Sequence, residues 1–262
     1  MWRLPPFEFA QGKHLAGRPV AQSFAVELRS TDSRGRLSPH SCHTLLMSRS
    51  ESGSARDLAE LIFGYGLIVS IIWMPEFPQR ILSPVALVVT LAIVLARRPS
   101  LDELGLGLRG LVQSWWILPA SVIVTVVSVL VAKRIGTLHP LYKGDLKHVT
   151  GYVLWTLYQQ FLLNDYFMPR LMRLVGSQKA AVGVAAVLFA LAHLPNLWLT
   201  VVTLVWGAVS CALFRRYQNL YALGLAQGLL GLCFAICVPD SLHHHLRVGL
   251  GYLRYHTAQQ AR

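Results

Sequence analysis

Residues 180–214 read AAVGVAAVLFALAHLPNLWLTVVTLVWGAVSCALF, thirty-five positions without an Asp, Glu, Lys or Arg. An ionised side chain at mid-bilayer is costly, and about 20 apolar residues cross a hydrocarbon core, so this run reads as membrane-spanning chain. It is too long for one crossing, because at ~1.5 Å rise per residue it would exceed ~50 Å. Pro195-Asn196 lies near its middle and can break it, since proline removes a helix hydrogen bond and disfavours α geometry in the residue before it. The run predicts two helices, 180–194 and 197–214.

Working outward, the intervals 61–75, 81–96, 110–132, 148–164 and 217–239 are also free of charge. Together they predict an all-α, polytopic membrane bundle of about seven transmembrane helices, with the other five over 58–74, 81–97, 111–132, 149–170 and 219–238. The first two and 180–194 are short for a full crossing and call for tilt or a partial span. Composition agrees: of 262 residues, 54% are hydrophobic and 14% charged. That balance excludes a soluble globular enzyme and a disordered polycation. The net charge of +12 comes from Lys and Arg placed between apolar runs, as in juxtamembrane loops, so no nucleic-acid partner is expected.

The chain divides into a flexible N-terminal extension (1–57), a transmembrane domain (58–239) and a basic C-terminal tail (240–262). In the first, the run RSTDSRGRLSPHSCH is too polar to cover a core, and Met47 offers an alternative translation start just before membrane character begins. The loop charges favour an inside N-terminus, eight Lys and Arg against five. The expected location is a bacterial inner membrane, multi-pass. Cys42, Cys211, Cys233 and Cys237 form no CxxC pair and suggest no disulfide framework.

Function is to be sought among the few polar groups inside the membrane, since each must find a partner or line a cavity. On the fourth helix, Thr156, Gln160 and Asn164 form one stripe with Gln159 on its flank, while Asp165 lies about 140° from Gln160 on another face. His193 follows Phe189 by four residues and shares its direction; Gln227 sits among Gly224, Gly228 and Gly231. Each also has a plain structural reading: amides as interhelical glue, a buried neutral histidine, glycines for close packing. Cys233 and Cys237 share a helical face but offer only two soft ligands, and His243, His244 and His245 read as surface histidines of the tail.

Three phrases together resemble the CPBP family of intramembrane proteases, which includes CAAX prenyl proteases and bacteriocin-processing enzymes. QQFLLNDYFMPRL (159–171) falls on the family's EExxxR motif, LFALAHLPN (188–196) on its FxxxH motif, and GAVSCALFRRYQNLYALGLAQGLLG (207–231) on the segment carrying a later His and Asn. The resemblance covers about 60–240 and makes 58–239 a CPBP-like domain. It implies an endopeptidase in which a glutamate is general base, a histidine assists and an amide stabilises the oxyanion. It also implies membrane lipid and a peptide or prenylated protein C-terminus as partners.

The departures fall on the chemistry. By that alignment the catalytic positions are Gln159, Gln160, Asn164, His193 and Gln227, and only His193 keeps the expected type; Gly231 stands where Asn is expected. A carboxamide cannot hold a proton at neutral pH, and loss of a general base removes roughly 10²–10⁴ of rate. One His with amides is also a poor zinc site, so neither metal nor cofactor is expected there. Three readings are open: a CPBP-type pseudoenzyme that keeps peptide or lipidated-chain binding, an active protease rearranged around His193 with Asp165, or a transporter or structural subunit. The last predicts that Gln160, His193 and Gln227 do not cluster.

Overall fold

The computed structural model describes residues 39–141 and 144–260, with side chains over 53–141 and 144–255. The chain separates into units 1–48 and 49–262, and the apolar helix bundle belongs to the second. The expectations for residues 1–38, including most of the N-terminal extension, fall outside the described residues.

The described chain is helical: α1 (Pro39–Ile72), α2 (Glu76–Leu95), α3 (Leu108–Gln113), α4 (Ile117–Ile135), α5 (Leu146–Phe161), a π-helical turn (Leu162–Phe167), α6 (Met168–Val175), α7 (Gln178–Leu191), α8 (Leu197–Tyr217), α9 (Leu220–Cys237), α10 (Asp240–His243), a 3-10 turn (His244–Leu246) and α11 (Gly249–Gln260). Among the described residues, α2, α4, α8 and α9 are long and apolar enough to cross a membrane, and α7 is a shorter apolar helix. Large apolar side chains such as Ile123, Val126 and Val127 on α4, and Leu197, Trp198 and Leu204 on α8, are exposed. Outward apolar faces of this kind are what a bundle in lipid presents. The chain is an integral membrane protein.

Local sequence sets the breaks. Between α7 and α8 the chain leaves the helix over 192–196, and Asn196 begins α8 by accepting from Leu199 N at 3.2 Å. Asn219 caps α9 in the same way on Ala222 N at 3.1 Å, satisfying an otherwise unpaired first-turn donor. Gly136, at φ 77, closes α4 in the left-handed region where a side chain would be strained.

The fourth predicted helix is interrupted. Its residues Leu162–Phe167 form a π turn, all six of them buried, between α5 and α6. Such insertions re-phase a helix face and recur at functional sites. The core lies around this turn, with Leu163, Tyr166 and Met168 packed with Leu223 and Ala226 of α9 and with Cys211 and Phe214 of α8. Helix α9 lies close against α5: a Cβ on Gly224 would sit 2.4 Å from Leu157 Cδ2 and 3.0 Å from its Cα. Here the packing reading of the glycines applies.

The helix ends sort into two groups. At one end, Arg97 of the loop after α2 meets Asp57 of α1, and Asp57 also meets Arg173 of α6. At the other, the loop after α4 bonds to the end of α9, through His139 N to Ile236 O at 3.0 Å and Thr137 Oγ1 to Cys237 O at 2.8 Å.

Candidate functional site

The amides of α5 and α9 face one another because α5 and α9 approach closely along the glycine stripe. Gln160 Nε2 donates to Gln227 Oε1 at 2.6 Å, Asn164 Nδ2 donates to Gln160 Oε1 at 2.8 Å, and Gln227 Nε2 donates to Gln159 Oε1 at 2.5 Å. From α8, Trp206 Nε1 adds a bond to Gln227 Oε1 at 3.1 Å. Four carboxamides are thus joined in a directed chain, Asn164 to Gln160 to Gln227 to Gln159. Thr156, on the same stripe, is used differently: its hydroxyl donates to carbonyl oxygens of Val153 and Gly224 and pins α5 to α9.

Gln159, His193 and Gln227 line a single cavity of about 670 Å³, with Trp206, Phe189 and Tyr152 among its other walls. Gln160 and Asn164 stand behind that surface, fully buried and linked to it through Gln227. The structure therefore brings the five sequence-predicted positions into one neighbourhood, three on the cavity wall and two supporting it. The volume lies in the usual range for a small-ligand site, about 300–1,000 Å³.

His193 has a defined role for one nitrogen. Its Nδ1 is 2.7 Å from Phe189 O, and because a carbonyl only accepts, Nδ1 carries the proton. Nε2 is left with a lone pair for a ligand. No carboxylate is bonded to this imidazole among the described residues. Asp165, proposed as its partner in the rearranged-protease reading, lines a different pocket with Asn164, Arg170 and Arg173. One of its carboxylate oxygens is buried there without a hydrogen-bond partner.

Two features were invisible in the sequence. Tyr152 fills the space beside Gly231: a Cβ on that glycine would lie 2.0 Å from the Tyr152 hydroxyl oxygen. The position where the resemblance expects an Asn is thus closed by a phenol from α5. The second is an ion cluster at the Arg-rich end. Arg170, with 1% of its side chain exposed, meets Glu60 at 2.6 Å and lies over the Tyr166 ring at 3.9 Å. Asp57 pairs with Arg173 and Arg97, and the Arg173 guanidinium above all holds its carboxyl down at about 2. Partners 40 to 116 positions apart give no signal in a local reading.

The tail histidines differ from expectation. His243 and His244 are buried, so the surface reading fails for both, because α10 and the 3-10 turn fold back onto the bundle. Asn196 Nδ2 donates to His243 O at 2.8 Å and Gly249 N to Leu194 O at 2.9 Å, which holds the segment down. Cys233 and Cys237 are 3.8 Å apart at sulfur, on one face as expected.

Comparison with known families agrees with the residues that carried the resemblance. Residues 146–233 match the family model described as Type II CAAX prenyl endopeptidase Rce1-like. That segment runs from the start of α5 to the last turn and a half of α9, and it holds all five candidate positions. No curated protein and no solved structure matches the chain.

Proposed function

We propose that this chain is a CAAX-endopeptidase-type membrane protein whose peptidase activity is lost or strongly impaired, and whose cavity binds a peptide or lipidated chain. The observation that carries the reading is the directed chain of four carboxamides at the positions where the family pattern has Glu, Glu, Arg and His.

Hydrolysis of a peptide bond needs a group that accepts a proton from water. Carboxamides do not, and the oxygens of Gln159, Gln160 and Gln227 each already accept from a neighbouring amide. The exchange is concerted: Asn164 stands where the family pattern has the Arg that would balance a carboxylate at 159 or 160, and a neutral amide cluster is cheaper to keep inside a membrane than an ion pair. His193 Nε2 is the remaining base of the site. Without a carboxylate to orient it or stabilise its charged form, it lacks the arrangement that makes histidine an effective base in hydrolases.

Binding is a different matter. Peptide carbonyl and N–H groups pair well with carboxamides, and a prenyl chain suits walls such as Ile68, Leu162, Val205 and Leu230. A prenylated C-terminus presents both chemistries at once. The Arg-rich end of the bundle, with Arg97, Arg173 and Arg215 about one pocket, supports a topology with that end on the inner face of a bacterial membrane and the N-terminus inside.

The test is photo-crosslinking of a farnesylated C-terminal peptide carrying a diazirine in the prenyl chain, with the full-length protein in nanodiscs. Saturable labelling of cavity residues such as Phe189 or Trp206, competed by unlabelled peptide, is the expected result. Labelling that does not saturate, or that falls only on the outer faces of α4 and α8, would overturn the binding reading.

A further inference from the structure

Beyond the amide-lined cavity, three ligating side chains converge at the end of the bundle opposite the arginine cluster. His139 comes from the loop after α4, Asp240 opens α10 and His243 closes it. One ligand atom from each lies within 4.8 Å of the other two. His243 Nε2 is 3.1 Å from Asp240 Oδ1, and the His139 and His243 rings stack with centroids 6.0 Å apart. We propose that His139, Asp240 and His243 form a binding site for a divalent transition-metal ion of the zinc class.

Beside the convergence of the three side chains, the state of the His243 ring points to a ligand. The His243 side chain is 1% exposed, yet neither ring nitrogen makes a well-directed hydrogen bond, its Nε2 meeting the Asp240 carboxylate at 3.1 Å as an ion-pair contact. A buried polar group without a well-directed partner is costly, and coordination would remove that cost. His139 is placed differently, with a carbonyl at each ring nitrogen. Its Nδ1 is 3.1 Å from Pro140 O and its Nε2 2.8 Å from Val238 O. An imidazolium satisfies both carbonyls; the neutral imidazole that a metal needs carries one N–H and leaves one of them facing a lone pair. A metal taking that nitrogen, with the other still donating to a carbonyl, gives the usual outer support of a ligating histidine.

The donor set selects the ion class. Two imidazoles and a carboxylate suit zinc, cobalt or nickel and leave a fourth position for water. At a Zn–N distance of ~2.0–2.1 Å, ligand atoms sit about 3.4 Å apart in a tetrahedron, so side-chain rotations would close the present spacing. The supports are in place. Asp240 Oδ1 is also 3.0 Å from His245 Nδ1, and His245 Nε2 is 3.1 Å from the Tyr255 hydroxyl. The ion would staple the loop after α4 to the corner between α9 and α10. The chain continues from that corner to Leu246 and Val248, which line the cavity with His193. The site is separate from the amide cluster and does not depend on whether the cavity is catalytic.

The experiment uses full-length protein purified without a polyhistidine tag, stripped with chelator, then titrated with Zn²⁺ by calorimetry and with Co²⁺ by visible absorption. The expected result is one ion per chain, with the intense d–d bands of four-coordinate cobalt. His139→Ala, Asp240→Asn and His243→Ala should each weaken binding at least about tenfold, as loss even of outer-shell support typically does. His139 is only partly buried, so its variant remains informative should His243→Ala misfold. His193→Ala and the double variant Cys233→Ser, Cys237→Ser should bind as the parent does. Absence of a stoichiometric ion in the parent, binding that survives His139→Ala and Asp240→Asn, or binding abolished by the cysteine pair would overturn the proposal.

Discussion

Gln160 Nε2 donates to Gln227 Oε1 across 2.6 Å, joining α5 to α9 between residues 67 positions apart. The bond lies where the resemblance would put a carboxylate and an imidazole. It keeps the shape of such a contact while removing both of its titratable members. The same two side chains are also bonded onward, Gln160 to Asn164 and Gln227 to Gln159, so the pair sits in the middle of a chain and not at its end.

That contact has a measurable strength. Gln160→Ala and Gln227→Ala should each lower unfolding free energy by about 1 kcal/mol, the scale of interhelical hydrogen bonds in membranes. Because they share a bond, the double variant should cost less than the sum by at least ~0.5 kcal/mol. Denaturant unfolding of the four proteins in one detergent gives the coupling directly; strict additivity would mean that the two amides act separately.

Gly231 and Tyr152 form a second coupled pair. An Asn at 231 would meet the Tyr152 hydroxyl, whose oxygen stands 2.0 Å from where a Cβ would be. Gly231→Asn should therefore destabilise by about 1–3 kcal/mol, as overpacking does. Adding Tyr152→Ala should recover part of that loss. Thermal melting checks it, and a Gly231→Asn protein as stable as the parent would show that the phenol moves aside freely.

The buried cation Arg170 depends on Glu60, which it meets through Nε at 2.9 Å and Nη2 at 2.6 Å. Glu60→Gln leaves that guanidinium without its counter-charge and should cost about 3–5 kcal/mol. Replacing both residues by apolar ones, Glu60→Leu with Arg170→Met, should cost less than Glu60→Gln alone. Melting temperatures of the three proteins decide the order.

Asp57 gives the account a pH dependence. Its carboxyl is held at about 2, against an ordinary 3.8, chiefly by the Arg173 guanidinium and then by Arg97. A depressed folded-state pKa contributes stability that is complete above the unfolded value and disappears as pH falls through the folded one. The contribution, at most about 2 kcal/mol after allowance for the half-exposed Arg173, should therefore be present at pH 5 and vanish on approaching pH 2. Asp57→Asn should melt below the parent at pH 5 and converge with it in acid. A constant offset between the two would contradict this.

Much of this arrangement could be read from the residues. Charge-free runs located the apolar helices because ionised groups are so costly in lipid, and Pro195-Asn196 marked the break between α7 and α8. The i, i+4 spacing of Gln160 and Asn164 put them on one face, where they are bonded. What stayed hidden depended on contacts at long separation. The π turn at Leu162–Phe167 leaves no periodic mark, because every residue in it is buried whichever way it is phased. The burial of His243 follows from a return of the chain onto Asn196, 47 positions earlier, which local pattern does not encode. Glu60 and Arg170 sat in separate apolar surroundings and met only on folding.

The central claim is that an amide-for-carboxylate exchange around His193 leaves a site that can bind but cannot hydrolyse. Its most direct measurement is cleavage of a farnesylated CAAX-type peptide by the full-length protein in nanodiscs, followed by mass spectrometry beside His193→Ala. The account predicts no product above the level of empty nanodiscs for either protein. Product formed by the parent and abolished by His193→Ala would contradict it.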